Sequence, residues 1–313
     1  MAEENNDSQL LLNKIVYEYM RDQKRKRIWR WIVRIIILIF IIAFTYKMIK
    51  VSSMESMEKN KPHVGLIDLE GTIFEGQSAS ADKFAKSLHE AYKNSAMKAL
   101  IIRINSPGGS PVQADYMFST LRYYQEKHPN IKTYAVCVDL CASAAYYVAA
   151  AADEIYANPS SMVGSIGALF NGFGFVDTLD KLGISRRLQT AGAYKDFLDP
   201  FSPEKPEQQK ILQTMLNQVH QQFISRVREG RGKRLQENSE IFSGLFWTGI
   251  DAKKLGLIDG FASAGQLARD KIQITRMVDY SQKDNLFEKF ARGMGSAAAE
   301  QLPLALGIKP GLR

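Results

Sequence analysis

The chain has 313 residues, 45% hydrophobic and 24% charged. That is enough for one large or two modest domains, and too apolar for a mostly disordered chain. Its two cysteines exclude a disulfide-stapled scaffold and a four-cysteine zinc site. The formal charge of +8 is uneven: residues 1–62 carry 12 Lys and Arg against 7 Asp and Glu, while the rest carry 29 against 26. The globular part is nearly balanced, so no nucleic-acid partner is expected.

The N-terminal arm is built in three parts. Residues 1–20 are polar to mildly amphipathic. Arg21, Lys24, Arg25, Lys26, Arg27, Arg30 and Arg34 form a basic cluster, and Ile35–Tyr46 is an uncharged run. Twelve residues are short for a span, which needs ~20 to cross ~30 Å of hydrocarbon. The flanks lengthen it: Ile28–Tyr46 is 19 residues, with Trp29 and Trp31 at interfacial depth and Arg30 and Arg34 able to snorkel. The basic residues before the run outnumber Lys47 and Lys50 after it, which places the N-terminus in the cytoplasm. A cleaved signal peptide ending near Val51-Ser52-Ser53 is the competing reading, but the polar region ahead of the apolar run is long for one. A helix lying in the interface would need a polar face, which Ile35–Tyr46 lacks. We therefore expect a cytoplasmic segment over 1–27, a single signal-anchor helix over 28–49 and a linker over 50–62. A folded domain over 63–280, on the far side of the cytoplasmic membrane, and a tail over 281–313 complete the chain.

Within the domain, His63–Leu69, Ala99–Ile104, Thr133–Val138 and Ile155–Ala157 are short apolar runs of strand type. Ser80–Asn94, Val112–Glu126 and the alanine-rich Ser143–Ala152 carry helical spacing between them. This alternation predicts a largely parallel sheet with covering helices. Pro203–Glu229 reads as a long amphipathic helix whose stripe Ile211, Leu212, Met215, Val219, Phe223 and Val227 is core. Asp251–Leu255 and Ala262–Lys271 read as short helices.

No phosphate-binding G-x-x-x-x-G-K-[ST] loop and no H-E-x-x-H pair occurs, and His63, His89, His128 and His220 show no metal-ligand spacing. Cys137 and Cys141 read as buried small hydrophobes. Two segments are more informative. Asn105-Ser106-Pro107-Gly108-Gly109 ends a strand with two glycines that can turn backbone N–H groups toward a ligand, although strand-end turns often have this composition. In Cys141-Ala142-Ser143-Ala144-Ala145-Tyr146-Tyr147 a serine sits among tiny residues where a strand gives way to a helix. Ser143 is either an N-cap or a nucleophile that a peptide backbone can approach. A nucleophilic serine needs a base. His220 lies within the long helix. Lys195, in Gly192-Ala193-Tyr194-Lys195-Asp196-Phe197, has aromatic neighbours; it is either a solvated loop lysine or a base held uncharged by burial.

Taken together, Asn105–Gly109, Ala142–Tyr147, Asp153–Ala157 with Val163–Gly167, Gly192–Asp196, and Phe246–Gly249 with Leu255–Asp259 resemble, in order, the motifs of the signal peptide peptidase A family, the protease IV-type serine peptidases. The resemblance spans about residues 63–275 and is closest to the short form with one domain copy behind a membrane anchor. It implies an α/β fold of the ClpP/crotonase type with repeated ββα units. It further implies Ser143 as nucleophile, Lys195 as general base, Ser165 as the serine that orients the lysine, and Gly109 and Ala144 as oxyanion-hole positions. No cofactor or metal is implied. Signal peptides and other unfolded hydrophobic peptides are the implied substrates, and a ring-shaped homo-oligomer, tetramer or octamer, is the implied assembly. A crotonase-like acyl-CoA enzyme and a catalytically inactive, membrane-tethered peptide-binding scaffold are the alternatives. Against the first, Cys137–Tyr147 offers only Asp139 where that chemistry generally uses glutamates. Against the second, both Ser143 and Lys195 are present.

Overall fold

The computed structural model describes residues 2–282, and the chain divides into two units between Asn60 and Lys61. The first unit is one helix, α1 (Ala2–Lys59). Its stretch Met20–Lys47 is long and apolar enough to cross a membrane, and none of it is buried. Ile28, Ile36, Ile39 and Phe40 are each more than half exposed. The segment read as a linker is helical as far as Lys59. Its Met, Glu and Lys residues are good helix formers, and the first breaker is Pro62. Of the expected tail, residues 283–313 lie outside the described residues.

The second unit is built on a sheet of eight strands. In chain order its elements are β1 (His63–Glu70), α2 (Ala81–Lys93), β2 (Met97–Ser106), α3 (Pro111–Lys127), β3 (Lys132–Ala142), α4 (Ala144–Ala149), β4 (Glu154–Ala157), β5 (Met162–Gly164), α5 (Val176–Lys181), α6 (Pro206–Arg231), β6 (Phe246–Thr248), α7 (Gly249–Lys254) and β7 (Gly260–Phe261). A short turn, α8 (Ala264–Gln266), runs into a π-helical turn at Leu267–Lys271, and β8 (Met277–Asp279) follows. The strand order is β6-β5-β3-β2-β1-β8, with β4 joining β3 to β7. Every pairing is parallel except β5 with β6.

Alternation along the strands explains the layers. Ile67, Leu69, Leu100, Ile102, Ile104, Ala135 and Cys137 belong to the main core, with Phe84 and Leu88 of α2, Phe118 and Leu121 of α3, and all of α4. The intervening Val64, Leu66, Ala99, Ile101, Tyr134 and Val136 pack under Ala264, Leu267 and Ala268 on the opposite face. A parallel sheet buried on both faces reads as continuous apolar runs, which is how these strands read in the sequence. Cys137 and Cys141 are buried free thiols.

Four strands were not expected. β5, β6, β7 and β8 have only two or three residues each, too short for any period to emerge. The expected helix Ser143–Ala152 is helical only over Ala144–Ala149.

Candidate active site

Pairing of β3 with β5 brings the first group of residues together. Leu140, Cys141 and Ala142 face Met162, Val163 and Gly164 in register. One step further along both strands lie Ser143 and Ser165, and the Ser143 N–H donates to the Gly164 carbonyl at 2.8 Å. Neighbouring strands are ~4.8 Å apart, so the two serines are side by side, 22 positions apart in sequence but adjacent in space. Both have positive φ, 54° and 52°. At Ser143, with ψ −126°, the strand turns sharply into α4. This is the strained strand–turn–helix geometry that projects a nucleophile clear of its sheet. Ser143 is half-buried, and its hydroxyl has no hydrogen-bond partner among the described residues.

The glycine turn after β2 is the second component. The Gly108 N–H donates to the Ser106 hydroxyl at 3.1 Å. Ile73 clamps the turn by donating its N–H to the Gly108 carbonyl and accepting from the Ser110 N–H, each at 2.8 Å. The N–H of Gly109, between them, has no partner among the described residues, and neither has that of Ala144. Gly108 lies against the backbone of Ser143. A Cβ placed there would stand 2.7 Å from the Ala142 carbonyl oxygen, 2.7 Å from Ser143 Cβ and 2.9 Å from the Ala144 nitrogen, at φ +99°. A side chain at 108 is therefore expected to push the turn away from Ser143; with Gly109 as an oxyanion-hole position, as the family resemblance implies, Gly108→Ala should lower kcat by roughly 10²-fold, the cost of losing one such donor. Steady-state kinetics beside a thermal melt test this; undiminished kcat in the folded variant would show that the turn does not position the donors.

His220 enters from α6. Its Nε2 is 3.1 Å from the Ile166 carbonyl oxygen, one residue past Ser165. A carbonyl only accepts, so Nε2 carries a proton and is committed as a donor. Trp247, on β6, packs its indole against Gly164, where a Cβ would be 2.9 Å from Cδ1.

Lys195 is arranged differently. Residues 167–207 leave the sheet as an excursion in which no residue is buried. Lys195 is exposed on it, and its ammonium has neither a hydrogen bond nor an ion pair among the described residues. The next residue, Asp196, is held to α6 by Lys205 and by Gln208, whose Nε2 donates at 3.0 Å. A pocket of about 540 Å³ of mixed lining, with Phe170, Phe173 and Phe175 beside Asp196, Asp199 and Lys205, lies between this excursion and the start of α6. Within one chain, then, Ser143, Ala144, Ser165 and the Gly108–Gly109 turn converge, and among the described residues Lys195 has no hydrogen bond to Ser143. Among the described residues no three His, Cys, Asp or Glu side chains converge as metal ligands.

Comparison with known proteins gives the relationship. Residues 125–275 match the model of peptidase family S49, and residues 64–164 that of Clp protease. The putative protease slr0021 of Synechocystis sp. is 33% identical over 196 residues, 63% of this chain and 68% of that protein. The chain belongs to peptidase family S49. This S49 chain is also 38% identical over 259 residues, 80% of its length, to the Na(+)/H(+) antiporter NhaA of Brucella abortus; it spans about a third of that relative, 35%. A putative signal peptide peptidase SppA of Enterococcus faecium is 26% identical over 190 residues, 61% of this chain and 55% of that protein. The ClpP-like sheet is thus the fold of an S49 member, and the segment 125–275 contains Ser143, Ser165 and Lys195.

Proposed function

We propose that this S49 protein is a membrane-anchored serine endopeptidase that uses a Ser143/Lys195 dyad to degrade cleaved signal peptides and other unfolded hydrophobic peptides. The observation that carries the reading is the unpartnered hydroxyl of Ser143 beside two unpartnered N–H groups, those of Gly109 and Ala144. In this reading uncharged Lys195 takes the proton of Ser143 as the oxygen attacks a peptide carbonyl. The N–H groups of Gly109 and Ala144 hold the oxyanion, and the protonated lysine then delivers its proton to the leaving amine. Water, deprotonated by the same lysine, hydrolyses the acyl-enzyme and restores the serine. Ser165, at the next strand end, orients the lysine.

Lys195 is exposed in a single chain, so the proposed base role requires a covering surface that one chain does not supply. Leu169, Phe173, Leu182, Ile184 and Tyr194 on the same excursion are all exposed, which suits a face that a second protomer covers. A ring-shaped homo-oligomer that covers this excursion would desolvate Lys195 and complete the site. The apolar stretch of α1 is suited to holding such a ring at the cytoplasmic membrane, N-terminus inside, with the catalytic domain on the periplasmic or extracellular side. The name of the E. faecium relative supports signal peptides as the substrate class, and the small residues that flank Ser143 in sequence, Ala142, Ala144 and Ala145, favour Leu, Ala or similar residues at the cleavage site.

The test is full-length protein in detergent, wild type against Lys195→Ala, with a signal peptide as substrate. The variant is expected to lose turnover while keeping its melting temperature, and wild-type activity is expected to rise from neutral to mildly alkaline pH. Near wild-type turnover in Lys195→Ala, or a profile that peaks in acid, would remove the lysine from the mechanism.

A further inference from the structure

Asn105 has no part in the chemistry just described, yet it makes two directed hydrogen bonds at the strand that delivers the nucleophile. The β2–β3 ladder slips there. Ile104 faces Cys137, but Ser106 faces Cys141, so two steps along β2 cover four along β3. Val138, Asp139 and Leu140 form a bulge, and a bulge removes ladder partners from the backbone it displaces. Side chains replace them. Leu140 donates its N–H to Asn105 Oδ1 at 3.1 Å, and the Ser161 hydroxyl donates to the Val138 carbonyl. Because the Leu140 N–H must be accepted by oxygen, the other end of the carboxamide is its NH₂. That group donates to Asp139 Oδ2, also at 3.1 Å.

Leu140 is the first residue of the three-residue stretch, Leu140 to Ala142, that pairs with β5 and immediately precedes Ser143. Without the bulge that stretch changes register against β2, and a one-residue slip would turn each side chain to the opposite face. We propose that Asn105 is a positioning residue, whose carboxamide sets the β3 bulge and through it the placement of Ser143 beside Ser165 and the Gly109 N–H. The proposal rests on the reading of Ser143 as nucleophile.

The two hydrogen bonds allow a reversal test. Asn105→Asp keeps an acceptor for Leu140 but sets a second carboxylate against Asp139. Asp139→Asn keeps an acceptor for the Asn105 NH₂. With both changes the donor and acceptor exchange ends, and both bonds are restored. Full-length protein is assayed for kcat and KM, with active sites counted by a fluorophosphonate probe so that misfolded protein does not enter kcat. Asn105→Asp is expected to lower kcat at least tenfold with little change in KM. Asp139→Asn should stay within about threefold of wild type, and the double variant should return to about that level. A purely structural role would alter the number of active sites and the melting temperature, not kcat per site or its recovery. Asn105→Asp at wild-type kcat, or a double variant as slow as Asn105→Asp, would overturn the proposal.

Hydrogen exchange over residues 138–146 provides a readout that does not depend on catalysis: Asn105→Ala should exchange faster there. Unchanged exchange refutes the clamp whatever the activity data show. Turnover in a parallel Ser143→Ala sample would refute the nucleophile reading instead, so the two failures are distinguishable.

Discussion

Ser143→Ala is expected to lower kcat by roughly 10⁴- to 10⁶-fold, the range seen when a serine hydrolase loses its nucleophile. The residual rate would come from the oxyanion donors and substrate binding alone. The fold should survive, because the hydroxyl has no hydrogen-bond partner among the described residues and the backbone bond from the Ser143 N–H to the Gly164 carbonyl is unaffected. Ser143→Gly extends the argument. With φ 54° and ψ −126°, this position strains any residue that has a Cβ, at a cost on the order of 1–3 kcal/mol. Glycine removes the strain, so this inactive variant should be more stable than wild type, its melting temperature higher by several degrees. Loss of activity together with a gain in stability would identify Ser143 as a residue held in an unfavourable conformation for function. Calorimetry on the three proteins, beside peptide turnover, gives both quantities. A destabilised Ser143→Gly would contradict the strain account, and turnover in Ser143→Ala would contradict the nucleophile.

The largest stability effect is expected at Arg231, near the end of α6. Its side chain is fully buried, and its guanidinium donates to the Gly256 carbonyl at 2.8 Å and to both oxygens of Asp259 at 2.8 and 3.0 Å. Asp259 also accepts the Ile155 N–H at 2.7 Å, so one ion pair links α6, β4 and the segment before β7. Tyr146, three residues after Ser143, donates its hydroxyl to Leu257 in the same segment at 2.7 Å. Arg231→Ala leaves the Asp259 carboxylate half-buried without its main partner and should cost about 3–5 kcal/mol. That corresponds to a fall in melting temperature of roughly 10 °C or more. The pH dependence has a definite sign. Burial alone would raise the Asp259 carboxyl, but the Arg231 guanidinium outweighs it and holds the group below its ordinary value of 3.8. A depressed carboxyl contributes its full stability above the ordinary aspartate range and loses it as pH falls through the folded value. Wild type should therefore lose this contribution only in strong acid, whereas the melting curve of Arg231→Ala should lack that component. Equal stabilities at neutral pH would show that the pair contributes nothing.

Much of the architecture was legible before the structure. The runs at His63, Ala99, Thr133 and Ile155 became β1 to β4, because strands buried on both faces need apolar residues at every position. The 3.6-residue periodicities between and after them became α2, α3 and α6. The order of motifs singled out Ser143, Ala144, Ser165 and Gly109 through a family resemblance, and pairing of β3 with β5 sets Ser143 and Ser165 at adjacent strand ends with the glycine turn against Ser143.

The bulge was not legible. Nothing in Val138-Asp139-Leu140 announces that these three residues stand against one residue of β2, Asn105, because a bulge is a property of two paired strands. Asn105 therefore read as part of a turn rather than as the clamp on another strand's amide, and His220, placed only within the long helix, gave no sign that it would reach Ile166. Lys195 shows the same limit: a motif locates the residue along the chain but not the surface that would desolvate it.

What the sequence determined by itself was the set of local elements and the chemical groups available to them. Both follow from side-chain periodicity and from the conformations that glycine and proline permit. The tertiary structure alone decided which of those groups meet. Ser143 lies beside Ser165 because β3 pairs with β5, and the Gly108–Gly109 turn lies against Ser143 because β2 pairs with β3. Such pairings are selected by burial of the whole sheet between two layers, a free energy that no segment of the chain holds alone.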